Sequence, residues 1–276
     1  MYVVDSVRTL VEVVESLASS YDLNKLHRAL LYSILDYSLA KKGVRGREEL
    51  LADLTSLSPP ILRALVKAKL EEPLGRFVEA SLKLLESRAV VLDSLASLDY
   101  VLKLITNTVR RVDNVMIFDA LSPIELVVIA GYLKSRGFKT IVPDVVFINP
   151  VGLTRFLTAQ RGGQSTLRDV ASYIAGILSA KGYFKSSYVD ERVHSVGYVG
   201  VEEFARSVDV RLLAESVEGV ASSGSTLILS DHGYDIVWDR ETHYLLVTHG
   251  FKEGRPGYEV VTPLSRIAIP LIIHKG

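Results

Sequence analysis

Leu227-Ile228-Leu229-Ser230-Asp231-His232-Gly233-Tyr234 is an apolar run that stops on three polar side chains and a glycine. A short continuous apolar run bounded in this way reads as a strand buried on both faces. Its carboxyl end then carries a carboxylate beside an imidazole. In open α/β sheets, ligands gather where strands end and loops begin, and a carboxylate next to an imidazole suits a divalent metal ion. The stretch therefore predicts a fold class and also a place to look for chemistry.

Working outward, Val115-Met116-Ile117-Phe118 is a second such run, and it ends on Asp119. Ser122-Pro123 opens a helix that closes at Gly137, with proline at a favoured first-turn position. Further strands are expected at residues 140–142, 187–189 and 244–248, with helices over 165–181 and 201–220. Strands alternating with helices imply βαβ units. The reading for residues 109–276 is a mostly parallel, doubly wound α/β domain.

Residues 1–108 have a different texture. Val3, Val4, Val7, Leu10, Val11, Val14 and Leu17 recur at helical spacing, with Arg8, Glu12 and Glu15 off that stripe. Asp22 is placed to cap a second helix that ends near Gly43, Ser58-Pro59-Pro60 starts another, and Pro73 breaks the pattern before it resumes. This part is expected to be a small all-helical accessory unit, a surface for a protein partner or for dimerisation. Its single histidine, His27, reads as a surface or capping residue.

The chain has 32 basic and 32 acidic residues, so it is not a protein whose whole surface is a footprint for nucleic acid, although a local basic groove stays open. With no cysteine, any metal must be held by histidine, carboxylate or hydroxyl groups. No apolar stretch approaches the roughly 18 residues of a membrane span, and the start has no signal-peptide pattern. The expectation is a cytoplasmic protein without membrane contact. Two methionines and no cysteine, in a chain rich in Val, Leu, Glu, Lys and Arg, suit a thermophile.

Polar residues at the predicted strand ends form an ordered series: Asp119, Asp190, Asp231 with His232, and His249. His194 follows Asp190 by one helical turn, which puts both on one face. Each aspartate alone has the ordinary explanation of an N-cap. Together with Phe118-Asp119-Ala120-Leu121, Gly152-Leu153-Thr154-Arg155-Phe156, Gly197 and Thr248-His249-Gly250, the series resembles the alkaline phosphatase superfamily, in detail its PglZ-domain branch. The resemblance covers residues 112–276 and leaves out the helical unit.

The resemblance implies an alkaline-phosphatase type of sheet and two divalent metal ions, zinc first and manganese or magnesium as alternatives. Asp119, Asp231, His232 and the Thr154 hydroxyl would hold one ion, and Asp190, His194 and His249 the other. Thr154 would be the nucleophile of a metal-dependent phosphoesterase acting on a phosphorylated small molecule or nucleotide, with nucleic acid as a further candidate. Arg155 is a candidate phosphate clamp, or points away from its neighbour. Two cations about 3.5–4 Å apart suit in-line phosphoryl displacement.

Ser122 stands where the pattern often has arginine and is a rival nucleophile; Phe251 stands where a second glycine is common. His243 is a substitute ligand candidate, and His274 reads as a surface residue. Tyr234, Trp238 and Tyr258 are candidates for a stacking rim, Arg161-Gly162-Gly163-Gln164 for a phosphate loop or a plain turn, and residues 252–257 for a pocket edge. Alternatives from other classes are a phosphotransferase or mutase on the same site, and a non-catalytic metal-binding scaffold in a defence or signalling system.

Overall fold

Both apolar runs that end on aspartate form strands at the middle of the main sheet. The computed structural model describes residues 2–44, 59–87, 89–109, 111–162, 165–194, 199–250, 257–262 and 264–276. Gly163, Gln164, Gly197, Phe251 and residues 252–256 lie outside the described residues. Six helices come first: α1 (Tyr2–Ala18), α2 (Leu23–Lys41), α3 (Pro59–Lys67), α4 (Glu71–Leu85), α5 (Ala89–Leu95) and α6 (Leu98–Thr108). Then follow β1 (Asn114–Phe118), α7 (Pro123–Ser135), β2 (Lys139–Ile141), β3 (Phe147–Ile148), α8 (Thr154–Ala159), α9 (Leu167–Ile177), β4 (Gly182–Ser186) and α10 (Tyr188–His194). The chain continues as β5 (Val199–Gly200), α11 (Val201–Ser207), α12 (Val210–Ser222), β6 (Thr226–Ser230), β7 (Asp235–Asp239), β8 (Tyr244–Thr248), β9 (Tyr258–Thr262), β10 (Ile267–Ala268) and β11 (Leu271–His274).

The main sheet has the order β2-β11-β6-β1-β4. β1 runs parallel to β4 and β6, whereas β11 is antiparallel to both of its neighbours. It is a mixed sheet, as a final strand without a preceding crossover helix requires. β1 and β6 are buried along their whole length, which is why they are continuous apolar runs and not alternating ones.

Three expectations need correction. Residues 187–189 are not a strand: β4 ends at Ser186, and α10 begins at Tyr188. The helix expected over 201–220 is two helices, broken at Val208, with Asp209 capping the second through Leu212 N. The strand at Tyr244–Thr248 exists but belongs to a second, four-stranded antiparallel sheet of order β5-β8-β7-β9. An apolar run shows that a strand exists but not which strand it pairs with, and β8 alternates between buried and partly exposed positions as a strand with one covered face does.

α7 explains the position of the helical N-terminus. It is buried nearly all round, and a helix that is apolar on every side must be covered on every side. α1, α2 and α12 supply that cover, packing along α7, so one apolar core runs through both parts of the chain. His27 is no surface residue: it is fully buried on α2, and its Nε2 lies 2.6 Å from Glu125 Oε1 of α7. At the other end, Gln160 beyond α8 accepts from Leu98 N and donates to the Ala96 carbonyl, tying α6 to the loop region. No helix among the described residues is long and apolar enough to cross a membrane.

Candidate functional site

The carboxyl ends of β1 and β6 lie side by side, since Phe118 pairs with Ser230, and the next residue of each strand is an aspartate. Ala120 then adopts a left-handed conformation (φ 64°), which costs a non-glycine residue about 1–2 kcal/mol. That turn presents the Ala120 N–H to Asp231 Oδ1 at 3.2 Å, and the His232 N–H reaches the same oxygen at 2.8 Å. Asp231 Oδ2 is buried with no hydrogen-bond partner among the described residues. An orphaned buried carboxylate oxygen is expensive, and a cation is the partner it fits.

His232 is fixed as tightly. Its Nδ1 lies 2.7 Å from the Gly233 carbonyl, which sets the proton on Nδ1 and leaves the Nε2 lone pair facing the site. Nε2 stands 3.6 Å from Asp119 Oδ1 and 3.5 Å from Asp231 Oδ2. The Thr154 hydroxyl lies 3.0 Å from Asp119 Oδ1 and 3.1 Å from His232 Nε2, so its one proton faces two acceptors. Thr154 and Arg155 are not in an extended segment but open the short helix α8. Arg155 is exposed; its carbonyl accepts from the Thr158 hydroxyl at 3.3 Å, and its side chain joins neither group of metal-capable residues among the described residues.

Asp190, His194 and His249 form a second group whose ligand atoms also converge. Asp190 and His194 are one turn apart on α10, and His249 follows β8. The Nε2 atoms of His194 and His249 are 2.6 Å apart, and those atoms lie 3.4 and 3.2 Å from Asp190 Oδ1. Two imidazoles aiming the same nitrogen at one point suit a shared cation. The His232 and His249 rings, 4.8 Å apart between centroids, join the two groups.

Two glycines let the loops meet. Gly250 has φ 62°, and a Cβ there would be 2.6 Å from Leu153 Cδ2; Gly152 has φ 59°, and a Cβ would be 2.5 Å from Ser265 Oγ. The loops carrying His249 and Thr154 therefore touch, and neither position accepts a side chain.

Electrostatics separate the groups. Burial, then the neighbouring Asp119, pushes the Asp231 carboxyl up to about 8. Burial lowers the affinity of His232 for a second proton, with the His249 charge adding to it and the Gly233 carbonyl opposing. Burial also works to raise Asp190, yet the His249 hydrogen bond and the charges of His194, His249 and His232 outweigh it and hold the carboxyl below its ordinary range. A carboxyl raised in this way keeps a proton at neutral pH, and a cation bound at this place would displace that proton and take over its role.

Other sequence candidates are placed elsewhere. Ser122 is the buried N-cap of α7, with a capping box completed by Glu125, so its hydroxyl is engaged in the core and not at the site. Tyr234 is fully buried and donates to Glu125 Oε1 at 2.6 Å, so it is no rim residue. Trp238 pairs with Leu245 across β7 and β8, and Tyr258 with Asp239, toward the end of that sheet away from His249. His243 is exposed in the turn between those strands (φ 57°) and joins neither group. His274 ends β11, outside both groups.

Sequence reading missed two features. Lys185 on β4 reaches Asp119 Oδ2 at 3.4 Å, and only strand pairing reveals that it stands beside Asp119. Glu125, buried among His27, Tyr234 and Ser122, was signalled by its place three residues after a serine N-cap. Comparison with known proteins finds no family model, no curated protein and no solved structure that this chain matches.

Proposed function

We propose that the chain is a metal-dependent phosphoesterase of the alkaline-phosphatase kind, with Thr154 as its nucleophile. The observation that carries this reading is the position of the Thr154 hydroxyl, within 3.1 Å of two members of one metal-capable group while the second group adjoins through His249. The resemblance of the five ordered motifs to the PglZ branch supports the same reading. Asp119, Asp231, His232 and Thr154 would hold one divalent ion, zinc being the first candidate for such nitrogen and oxygen donors, and Asp190, His194 and His249 the other. When bound, the two ions supply positive charge for an alkoxide and for a departing oxygen.

The protein's own groups do the rest. Thr154 Oγ1 gives up its proton and forms a bond to phosphorus as the bond from phosphorus to the leaving oxygen breaks, giving a phosphothreonine and a free alcohol. Water then cleaves the phosphothreonine, releasing phosphate and restoring the hydroxyl. Asp119 holds Thr154 in place for both displacements, and the Gly233 carbonyl keeps His232 in the tautomer that faces the site.

The test couples metal analysis to turnover of a mono-aryl and a bis-aryl phosphate. The expected result is two ions per chain and, in Thr154→Ala, a loss of hydrolysis of about 10³-fold or more. Less than one ion after reconstitution, or full activity in Thr154→Ala, would sink the proposal.

A further inference from the structure

We infer that Lys185 binds an outward-facing anionic oxygen of the substrate and tunes the site to phosphomonoesters; this rests on the phosphoesterase reading above. The two oxygens of Asp119 face different ways. Oδ1 is turned to Thr154 and His232, and Oδ2 to the Lys185 ammonium at 3.4 Å. The ammonium is thus one carboxylate width and two short contacts from the nucleophilic oxygen, on its outer side.

Exposure supports the direction of approach. The Lys185 side chain is 34% exposed, against 10% for Asp119, so a ligand entering from solvent meets the lysine before the carboxylate. An ammonium has three N–H donors, and its ion pair with Asp119 leaves donors for a ligand. The backbone fixes this placement. β4 is the edge of the sheet, Lys185 pairs with Ile117, and Asp119 N donates to the Ser186 carbonyl at 2.8 Å. Side chains two apart on a strand share a face, so Lys185 and Asp119 emerge on the same side. Arg155, the other cation near Thr154 in sequence, has no contact with these groups.

Chemistry then gives the preference. Besides the leaving oxygen, a phosphomonoester dianion presents non-bridging oxygens that all carry negative charge, whereas in a diester one of these positions is a neutral ester oxygen and the total charge is halved. A charge-assisted hydrogen bond from Lys185 is stronger to the former. If Lys185 only balanced Asp119 inside the fold, its loss would affect both ester classes equally and would not alter anion binding.

The experiment uses the metal-loaded full chain as wild type, Lys185→Met and Lys185→Arg. Inorganic phosphate binding is measured by calorimetry, and kcat/KM is measured on p-nitrophenyl phosphate and bis(p-nitrophenyl) phosphate, with metal content checked in each. Lys185→Met is expected to weaken phosphate binding and monoester kcat/KM about ten- to hundredfold, to change diester kcat/KM much less, and to keep its metal. Lys185→Arg should retain most of the phosphate affinity. Equal losses on the two esters, or unchanged phosphate affinity in Lys185→Met, would overturn the inference. Failure of the wild type to hydrolyse either ester would count against the phosphoesterase reading instead, and phosphate affinity, which needs no turnover, would still decide the role of Lys185.

Discussion

The two ligand groups are built from different materials. Asp119, Asp231 and His232 end adjacent strands of the central sheet, and their side chains are 10%, 0% and 0% exposed. Backbone groups hold them: the Ala120 and His232 amides on Asp231, the Gly233 carbonyl on His232. Asp190 and His194 come from a short helix and His249 from the residue just past a strand of the second sheet, with His194 58% exposed. Their contacts are chiefly with one another, and His249 Nδ1 is buried without a hydrogen-bond partner among the described residues. On the proposed reading, the first group would be shaped before an ion arrives, and the second would need the ion to complete it.

The sharpest way to break this comparison is to remove one ligand from each group. Asp231→Asn keeps the side-chain shape but removes the orphaned anionic oxygen, and should cost the first ion and about 10³-fold or more in turnover. His194→Ala leaves Asp190 and His249 in place. It should cost about ten- to hundredfold and be partly restored by excess metal. Metal content per chain and kcat/KM read both. Equal losses that added metal fails to reverse in either variant would abolish the distinction.

That asymmetry also marks how far the sequence could be read. Asp119 and Asp231 were visible because a fully buried strand leaves an uninterrupted apolar run, and the first polar residue after it must be at the strand end. The one-turn spacing placed Asp190 and His194 on one face, and only the family resemblance joined them to His249; the strand expected before Asp190 is a helix start. His249 was found after β8, but nothing in its sequence shows that β8 lies in a separate antiparallel sheet. Lys185 and the His27–Glu125 pair depend on contacts between residues far apart in the chain, 66 positions for Lys185 and Asp119 and 98 for His27 and Glu125. Periodicity carries no signal for those.

The rigidity of the first group extends into the core behind it. Tyr234, two residues beyond His232, donates to Glu125, which is also tied to His27 and Ser122. Burial works to raise the Glu125 carboxyl, but the hydrogen bonds and charge of His27, with those of Ser122 and Tyr234, hold it below its ordinary value. Its stabilising contribution is therefore present above the unfolded-state value and is lost as pH falls through the lower folded one. His27→Leu leaves the carboxylate without its main partner and should cost about 3–5 kcal/mol at neutral pH, with a smaller deficit in acid. Urea unfolding at pH 7 and pH 4 measures both. A loss under about 1 kcal/mol at pH 7 would mean that α2 braces α7 through apolar packing alone.

The smallest effect concerns the second sheet. Asp235 opens β7, the neighbour of the strand that carries His249, and is fixed by Ser265, whose N–H and hydroxyl lie 3.1 and 2.7 Å from its oxygens. Burial pushes its carboxyl from 3.8 up to about 6 against those hydrogen bonds. Between about pH 4 and pH 6 the folded protein keeps a proton that the unfolded chain has released, so this residue's contribution falls as pH rises through that window and is level above it. The change is about 3 kcal/mol, opposite in sign to that of Glu125. Asp235→Asn, which is neutral throughout, should remove this slope and leave the acid side of the profile to the carboxyls held low, Glu125 and Asp190 among them. If the wild-type and Asp235→Asn stability profiles stay parallel from pH 4 to 6, Asp235 is ionised in the folded protein. The attachment of the second sheet would then owe its strength to a charged contact and not to a buried acid.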